Sequence, residues 1–151
     1  MMGSPGMPRI GFIGAGMVGN ALARLLSQKG YPVVAVYSRT AASAKKLAES
    51  AKGCRAVPGS QYVAEVADLV FITTPDDAIT SVVFYVRWHK GQSVVHCSGA
   101  DSTVILQTAR EMGASVGAFH PLQTFATVPR AIENIPGSTF AIEAEDRKSV
   151  V

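Results

Sequence analysis

Apolar residues in this chain alternate between two spacings, short unbroken runs and longer stretches in which they return every three or four positions. Ile10, Phe12 and Ile13 form the first run, and Val18, Ala21, Leu22, Leu25 and Leu26 follow at helical spacing. Lys29 and Gly30 give that helix a cationic last turn and a stop, and Val33 to Tyr37 reads as a second strand. A helix from about Ala41 to Ala51 carries Ala44, Leu47, Ala48 and Ala51 on one face and ends at Gly53. A short strand from Cys54 to Val57 and a turn at Pro58-Gly59-Ser60 come next. They lead into a brief helical segment with Tyr62, Val63 and Val66 inward, and then into a fourth strand, Leu69 to Thr73. Asp76 and Asp77 read as caps on a helix whose apolar face is Ile79, Val82, Val83 and Val86. A fifth strand spans Ser93 to Cys97. Asp101 or Ser102 can cap the helix that follows, which carries Ile105, Ala109 and Met112 and closes at Gly113. A sixth strand, Ala114 to Phe119, delivers His120; after an irregular, proline-bearing stretch, a last strand runs from Ser138 to Ile142.

Strands separated by helical crossovers predict an α/β fold: a doubly wound, right-handed parallel sheet with helices on both faces and ligands outside the carboxyl ends of the strands. With 151 residues the chain is about one domain, expected over residues 8–145, with 1–7 a frayed arm and 146–151 a tail. A hydrophobic fraction of 48% against 17% charged excludes a disordered chain. The net charge of +3 comes without a block of Lys or Arg, so it suits an anionic ligand and gives no nucleic-acid stripe. No run reaches membrane-span length, and the leader lacks a basic region followed by an apolar one, so neither a membrane anchor nor a signal peptide is expected. Cys54 and Cys97 lie at a strand start and a strand end, which argues against a structural disulfide and for a reducing, cytoplasmic location.

The chemistry-bearing residues fall where the predicted strands end. Gly14, Ala15, Gly16, Met17, Val18 and Gly19 fill G-x-G-x-x-G between the first strand and the first helix. Gly14 makes the tight turn, Gly16 lets a pyrophosphate approach the backbone, and Gly19 lets helix pack against strand, with helix N–H groups facing the anion. The second strand ends in Ser38-Arg39-Thr40, where an NAD-binding fold commonly places Asp or Glu for the ribose 2′-hydroxyl. A guanidinium with two hydroxyls suits a 2′-phosphate instead, so NADP is the expected cofactor; the other reading is a solvent-facing Arg39 with Thr40 capping the next helix. Thr73-Thr74-Pro75 leaves the fourth strand across the crevice.

Ser98 after the fifth strand and His120 after the sixth should flank the nicotinamide. Ser98 can orient a substrate oxygen or the carboxamide, or only satisfy its turn. His120 can exchange the proton that accompanies hydride transfer, or serve the loop scaffold. His96 reads as a buried core histidine, Cys97 as packing and His89 as helix-end surface. No metal-ligand spacing appears.

Taken together, the glycine loop, Ser38-Arg39-Thr40, Thr73-Thr74-Pro75-Asp76-Asp77, His96-Cys97-Ser98-Gly99-Ala100 and Phe119-His120-Pro121-Leu122-Gln123-Thr124-Phe125 resemble the cofactor domain of Rossmann-like NADP oxidoreductases. These are related to pyrroline-5-carboxylate reductase, prephenate dehydrogenase and 6-phosphogluconate dehydrogenase. In the similar prephenate dehydrogenases a serine and the histidine of a His-Pro motif line the substrate site, and Ser98 and His120 match those positions. Those enzymes usually continue His-Pro-x-x-Gly, whereas this chain continues Leu122-Gln123-Thr124, which speaks against prephenate itself. The resemblance implies hydride transfer to or from a small carbonyl, imine or hydroxy acid. It also implies a helical C-terminal domain beyond Val151 that completes the substrate pocket and makes a homodimer. A dinucleotide module without turnover, sensing NADP(H) and acting through a partner, is the competing expectation.

Overall fold

The computed structural model describes residues 7–98, 103–121 and 140–144. Seven strands form one sheet: β1 (Ile10–Ile13), β2 (Val33–Tyr37), β3 (Arg55–Ala56), β4 (Leu69–Ile72), β5 (Ser93–His96), β6 (Ser115–Pro121) and β7 (Phe140–Ala144), in the order β3-β2-β1-β4-β5-β6-β7. The first six run parallel, and β7 pairs antiparallel with β6. Sequence patterning does not show that reversal. The last strand also lies two residues beyond the expected Ser138–Ile142.

Each side of the sheet is covered, so β1 and β4 are buried along their whole length, as parallel strands beneath helices on two faces must be. Side chains alternate between the faces. Phe12, Val36, Leu69, Phe71 and Val95 pack with Ala21 and Leu22 of α1 (Met17–Gln28) and with Ala44 and Leu47 of α2 (Ala41–Ser50). Ile13, Val70, Ile72, Val94 and Val116 face the opposite layer, built from α3 (Ser60–Val66), α4 (Ile79–Tyr85) and α5 (Gln107–Glu111). Phe12 and Phe71 stack at 5.3 Å between ring centres, and Phe119 meets Phe71 edge-on at 6.5 Å. No helix among the described residues is long and apolar enough to cross a membrane.

Four local expectations are corrected. In α3, Val63 and Ala64 are buried with Ala67, whereas Tyr62 and Val66 are exposed. The helix lies so close to β1 that a Cβ on Gly11 would stand 2.5 Å from Val63 Cγ1 and 3.0 Å from Ala67, a gap that takes only small side chains. Asp76 and Asp77 are exposed in a short 3-10 turn before α4 and make no capping bond, because Pro75 holds the cap position. Thr40 holds the cap position of α2 but also makes no side-chain cap. The third strand is only Arg55–Ala56. The expected caps Asp101 and Ser102 lie outside the described residues.

Candidate functional site

β1 and β4 are neighbours, but the chain leaves β1 toward α1 on one face and leaves β4 toward α4 on the other. The sheet order therefore reverses between them, and a crevice opens beyond their carboxyl ends. Gly14 turns the chain there with φ +107°, a conformation that a side chain resists, and its N–H donates to Tyr37 O at 2.7 Å. A Cβ on Gly14 would lie 2.6 Å from Thr73 C and Thr74 N. On Gly19 it would lie 2.5 Å from Thr73 Oγ1 and 2.9 Å from Gly14 O. These two glycines are pressed against β4. Gly16 differs: it is exposed, and an added Cβ would meet nothing within 4 Å. It stands at the N-cap of α1, whose first turn has neither a capping side chain nor an acidic residue, so its N–H groups face outward without a competing carboxylate.

The three residues leaving β4 have separate fates. The Thr73 hydroxyl donates to Gly14 O at 2.9 Å, so that side chain ties the glycine turn to β4. The Thr74 hydroxyl oxygen is buried and has no hydrogen-bond partner, alone in this among side-chain atoms of the described residues. Such a group is costly unless something else satisfies it. Pro75 starts the 3-10 turn.

At the end of β2 the Ser38 hydroxyl accepts from the Thr40 N–H at 3.2 Å, which shapes the turn and leaves its own hydrogen to donate outward. Arg39 and Thr40 are exposed, and Arg39 makes no ion pair among the described residues. The end of β2 that leads to Arg39 lies on the other side of β1 from β4.

β5 and β6 carry the remaining candidates. His96 is fully buried, and its Nδ1 accepts the Ser98 N–H at 3.1 Å, so a neutral ring carries its hydrogen on Nε2. Ser98 is itself buried. β6 runs through His120 to Pro121 rather than stopping at Phe119, because β7 pairs with it through Phe140. On the other side the β5 ladder ends at His96 opposite Ala118. Phe119, His120 and Pro121 pair with Ile142, Ala141 and Phe140 of β7. Ser98 lies two residues past the end of β5, and His120 lies in β6, the next strand of the sheet. Burial pushes the Cys97 thiol up to about 12 and the Cys54 thiol up to about 11; both cysteines are free, which fits packing rather than reactivity. His89 is exposed, as expected. No cluster of three or more metal-binding side chains occurs among the described residues.

Sequence patterning misses three buried polar residues, Asn20, Gln92 and Thr103. Asn20 donates from its side-chain nitrogen to Ala15 O at 2.8 Å and Gly16 O at 3.0 Å. Gln92 donates to Ala64 O at 2.7 Å and Ala67 O at 2.9 Å, closing the end of α3. A polar side chain on the core side of an apolar helix is the signal that could find Asn20; nothing local marks Gln92.

Comparison with known proteins agrees with this geometry. Among solved structures, a Bacteroides fragilis protein provisionally described as an NADP oxidoreductase superimposes with a TM-score of 0.82 at 27% identity, over 95% of this chain and 54% of its own. An imine reductase from Pseudomonas sp. gives 0.73 at 21% identity, over 90% and 47%. A reductive aminase from Aspergillus terreus, solved with NADPH and ethyl-5-oxohexanoate, gives 0.72 at 18% identity, over 95% and 50%. The chain thus spans about half the length of these proteins. A search of curated proteins returned no match. The family profile of the Rossmann-like domain matches residues 4–121, the span that holds the glycine turn and the six parallel strands, and the chain belongs to that family.

Proposed function

We propose that this chain is the NADP(H)-binding part of an oxidoreductase that moves a hydride to or from a small carbonyl, imine or hydroxy-acid substrate. One observation carries the reading. The crevice edge gathers the uncapped turn of α1 at Gly16, a guanidinium on Arg39 where a carboxylate would repel a 2′-phosphate, and the Thr74 hydroxyl that the fold leaves without a partner. These residues fit a phosphorylated dinucleotide, and the Bacteroides fragilis relative, described as an NADP oxidoreductase, supports the same class.

When bound, the nicotinamide supplies or accepts the hydride. Within the turn from Gly14 to Gly19, the backbone N–H groups at Gly16 and Met17 hold the pyrophosphate, while the Gly14 N–H stays on Tyr37 O. Arg39, with the hydroxyls of Ser38 and Thr40, holds the 2′-phosphate through charge-assisted hydrogen bonds. Thr73 keeps the glycine turn in place, while Thr74 offers its hydroxyl to the cofactor beside Pro75. Ser98 orients the substrate oxygen or the carboxamide. His120 gives a proton to the carbonyl oxygen or imine nitrogen during reduction and removes it in reverse. Residues 8–145 act as the cofactor domain. By the resemblance set out above, a further helical domain completes the substrate pocket and the homodimer; the two free cysteines support a reducing, cytoplasmic setting.

The test is a fluorescence titration with NADPH and NADH, repeated with Arg39→Asp. Tighter binding of NADPH, lost in the variant by about 10- to 100-fold, is expected for one charge-assisted contact. Equal affinity for both cofactors, or an unaffected variant, overturns the assignment of Arg39. Stereospecific hydride transfer from labelled NADPH to a carbonyl or imine acceptor then separates an enzyme from a sensing module.

A further inference from the structure

Asn20 sits on the buried side of α1, one position after the third glycine, and is about 7% exposed. Its two side-chain partners, Ala15 O and Gly16 O, are both acceptors, so the amide must present its nitrogen to them and use both of its hydrogens. The Asn20 backbone N–H also donates to Gly16 O at 2.9 Å, the ordinary bond of a first helical turn. Helix formation alone requires only that last bond. The side chain adds a second hold on Gly16 O and a hold on Ala15 O that no helical bond supplies.

A trans peptide carries its carbonyl and N–H in opposite directions across one plane. Drawing Ala15 O inward to Asn20 therefore turns the Gly16 N–H outward, and fixing Gly16 O does the same for the Met17 N–H. A Cβ on Gly16 would meet nothing within 4 Å, no side chain caps α1, and Asn20 is the side chain that holds the Ala15 and Gly16 carbonyls. Without the Asn20 side chain, Gly16 O would keep only its helical bond and Ala15 O would lose the hold that fixes its peptide.

We infer that Asn20 is a positioning residue of the dinucleotide site: it fixes the Gly16 and Met17 peptides so that their N–H groups point together at an anionic, pyrophosphate-sized ligand. This rests on the cofactor reading above and deepens it. The binding gain comes from orientation set in advance, so ligand association does not have to order the loop.

The test compares Asn20→Ala, which removes both side-chain bonds, with Asn20→Ser, whose hydroxyl can still reach the carbonyl one turn back. Three probes are used: NADPH, 2′-AMP, and thermal melting of the free protein. 2′-AMP carries the adenosine and 2′-phosphate but no pyrophosphate, so its binding depends on Arg39 and not on the turn at Gly16. For Asn20→Ala we expect NADPH affinity to fall by about tenfold, with Asn20→Ser between it and the parent and 2′-AMP binding unchanged. An equal fall for both ligands would mean that Asn20 acts only on the fold, and unchanged NADPH affinity would remove it from the site; either overturns the inference. If neither variant folds, the parent protein labelled with 15N still decides. NADPH must move the Gly16 and Met17 amide resonances while 2′-AMP leaves them in place, and still amides under NADPH overturn the inference. Failure of the unsubstituted chain to bind NADPH at all would instead refute the cofactor reading.

Discussion

Two alanine substitutions, three residues apart, should have opposite consequences, and together they test whether the glycine turn has the packing described above. Gly19→Ala places a Cβ 2.5 Å from Thr73 Oγ1 and 2.9 Å from Gly14 O. The Thr73 side chain can rotate away, but only by giving up its 2.9 Å bond to Gly14 O, and the carbonyl belongs to a backbone already held at φ +107°. Overpacking of this kind costs about 1–3 kcal/mol and the lost hydrogen bond about 1 kcal/mol. Against these stands the helix-propensity gain of Ala over Gly, about 1 kcal/mol. The net loss is about 1–3 kcal/mol, which for a chain of this size lowers the melting temperature by about 4–8 °C at the middle of that range. Gly16→Ala meets no atom within 4 Å and keeps an extended backbone at φ −80°, so its stability should stay within about 1 kcal/mol of the parent. Under the proposed cofactor reading its methyl group stands where the pyrophosphate approaches, so NADPH affinity should drop while the melting curve barely moves. Differential scanning fluorimetry and a nicotinamide fluorescence titration read the two effects separately. A Gly19→Ala protein as stable as the parent would mean that propensity outweighs packing, and the close approach of α1 to β4 would be refuted.

Thr74→Val replaces a buried hydroxyl that has no partner with a methyl group of similar size, so stability should hold or rise by up to about 1 kcal/mol while NADPH binding weakens by about five- to tenfold; a destabilised variant would refute the reading of that hydroxyl. Asp68 accepts from the Arg9 backbone N–H at 2.9 Å and pairs with its guanidinium at 3.2 Å, and the Arg9 side-chain bond, the largest cause, holds the carboxyl below the usual carboxylate range. A depressed native value means that the unfolded chain binds the proton more readily. The stabilisation is thus complete above the ordinary carboxylate range and lost as pH falls through it to the native value. Urea midpoints of the parent should exceed those of Asp68→Asn at pH 7 and converge with them in acid; a gap independent of pH would contradict this. The free thiols Cys54 and Cys97, raised to about 11 and about 12, leave at most about one thiolate in a thousand at pH 8. Maleimide should label neither rapidly until urea unfolds the chain, and fast native labelling would count against their burial.

Much of the fold was legible because parallel strands covered on both faces must be apolar throughout, and the helices between them must show a periodic face. β1, α1, β2 and β4 each carry one such signal, and each forms close to its expected place. Burial within α3 was legible only at Val63. Hydropathy favours Tyr62 and Val66 as inward residues, but the room available is set by the bare backbone at Gly11 on another element, and only Val63, Ala64 and Ala67 fit. The direction of β7 was likewise hidden, since a short apolar strand reads the same whichever way it pairs. Asp76 and Asp77 have the composition of caps, yet Pro75 takes the position that would give such a cap its geometry.

The candidate site was legible in position but not in division of labour. Spacing alone groups Gly14, Gly16 and Gly19, and likewise Thr73 with Thr74, because the pattern records only that small or hydroxylated residues are needed at the strand ends. The structure splits both groups along the same line. Gly14, Gly19 and Thr73 satisfy one another: two bare backbones let α1 approach β4, and the Thr73 hydroxyl joins that approach to Gly14 O. Gly16 makes none of these contacts and Thr74 packs on Gly14 only through its backbone; each leaves something exposed or unmet, an open backbone in one case and a buried hydroxyl in the other. A turn that needed only to join a strand to a helix would require the first set and could discard the second. That the open face of Gly16 and the hydroxyl of Thr74 exceed what folding needs, at the ends of neighbouring strands, is the physical reason for reading the crevice as a ligand site.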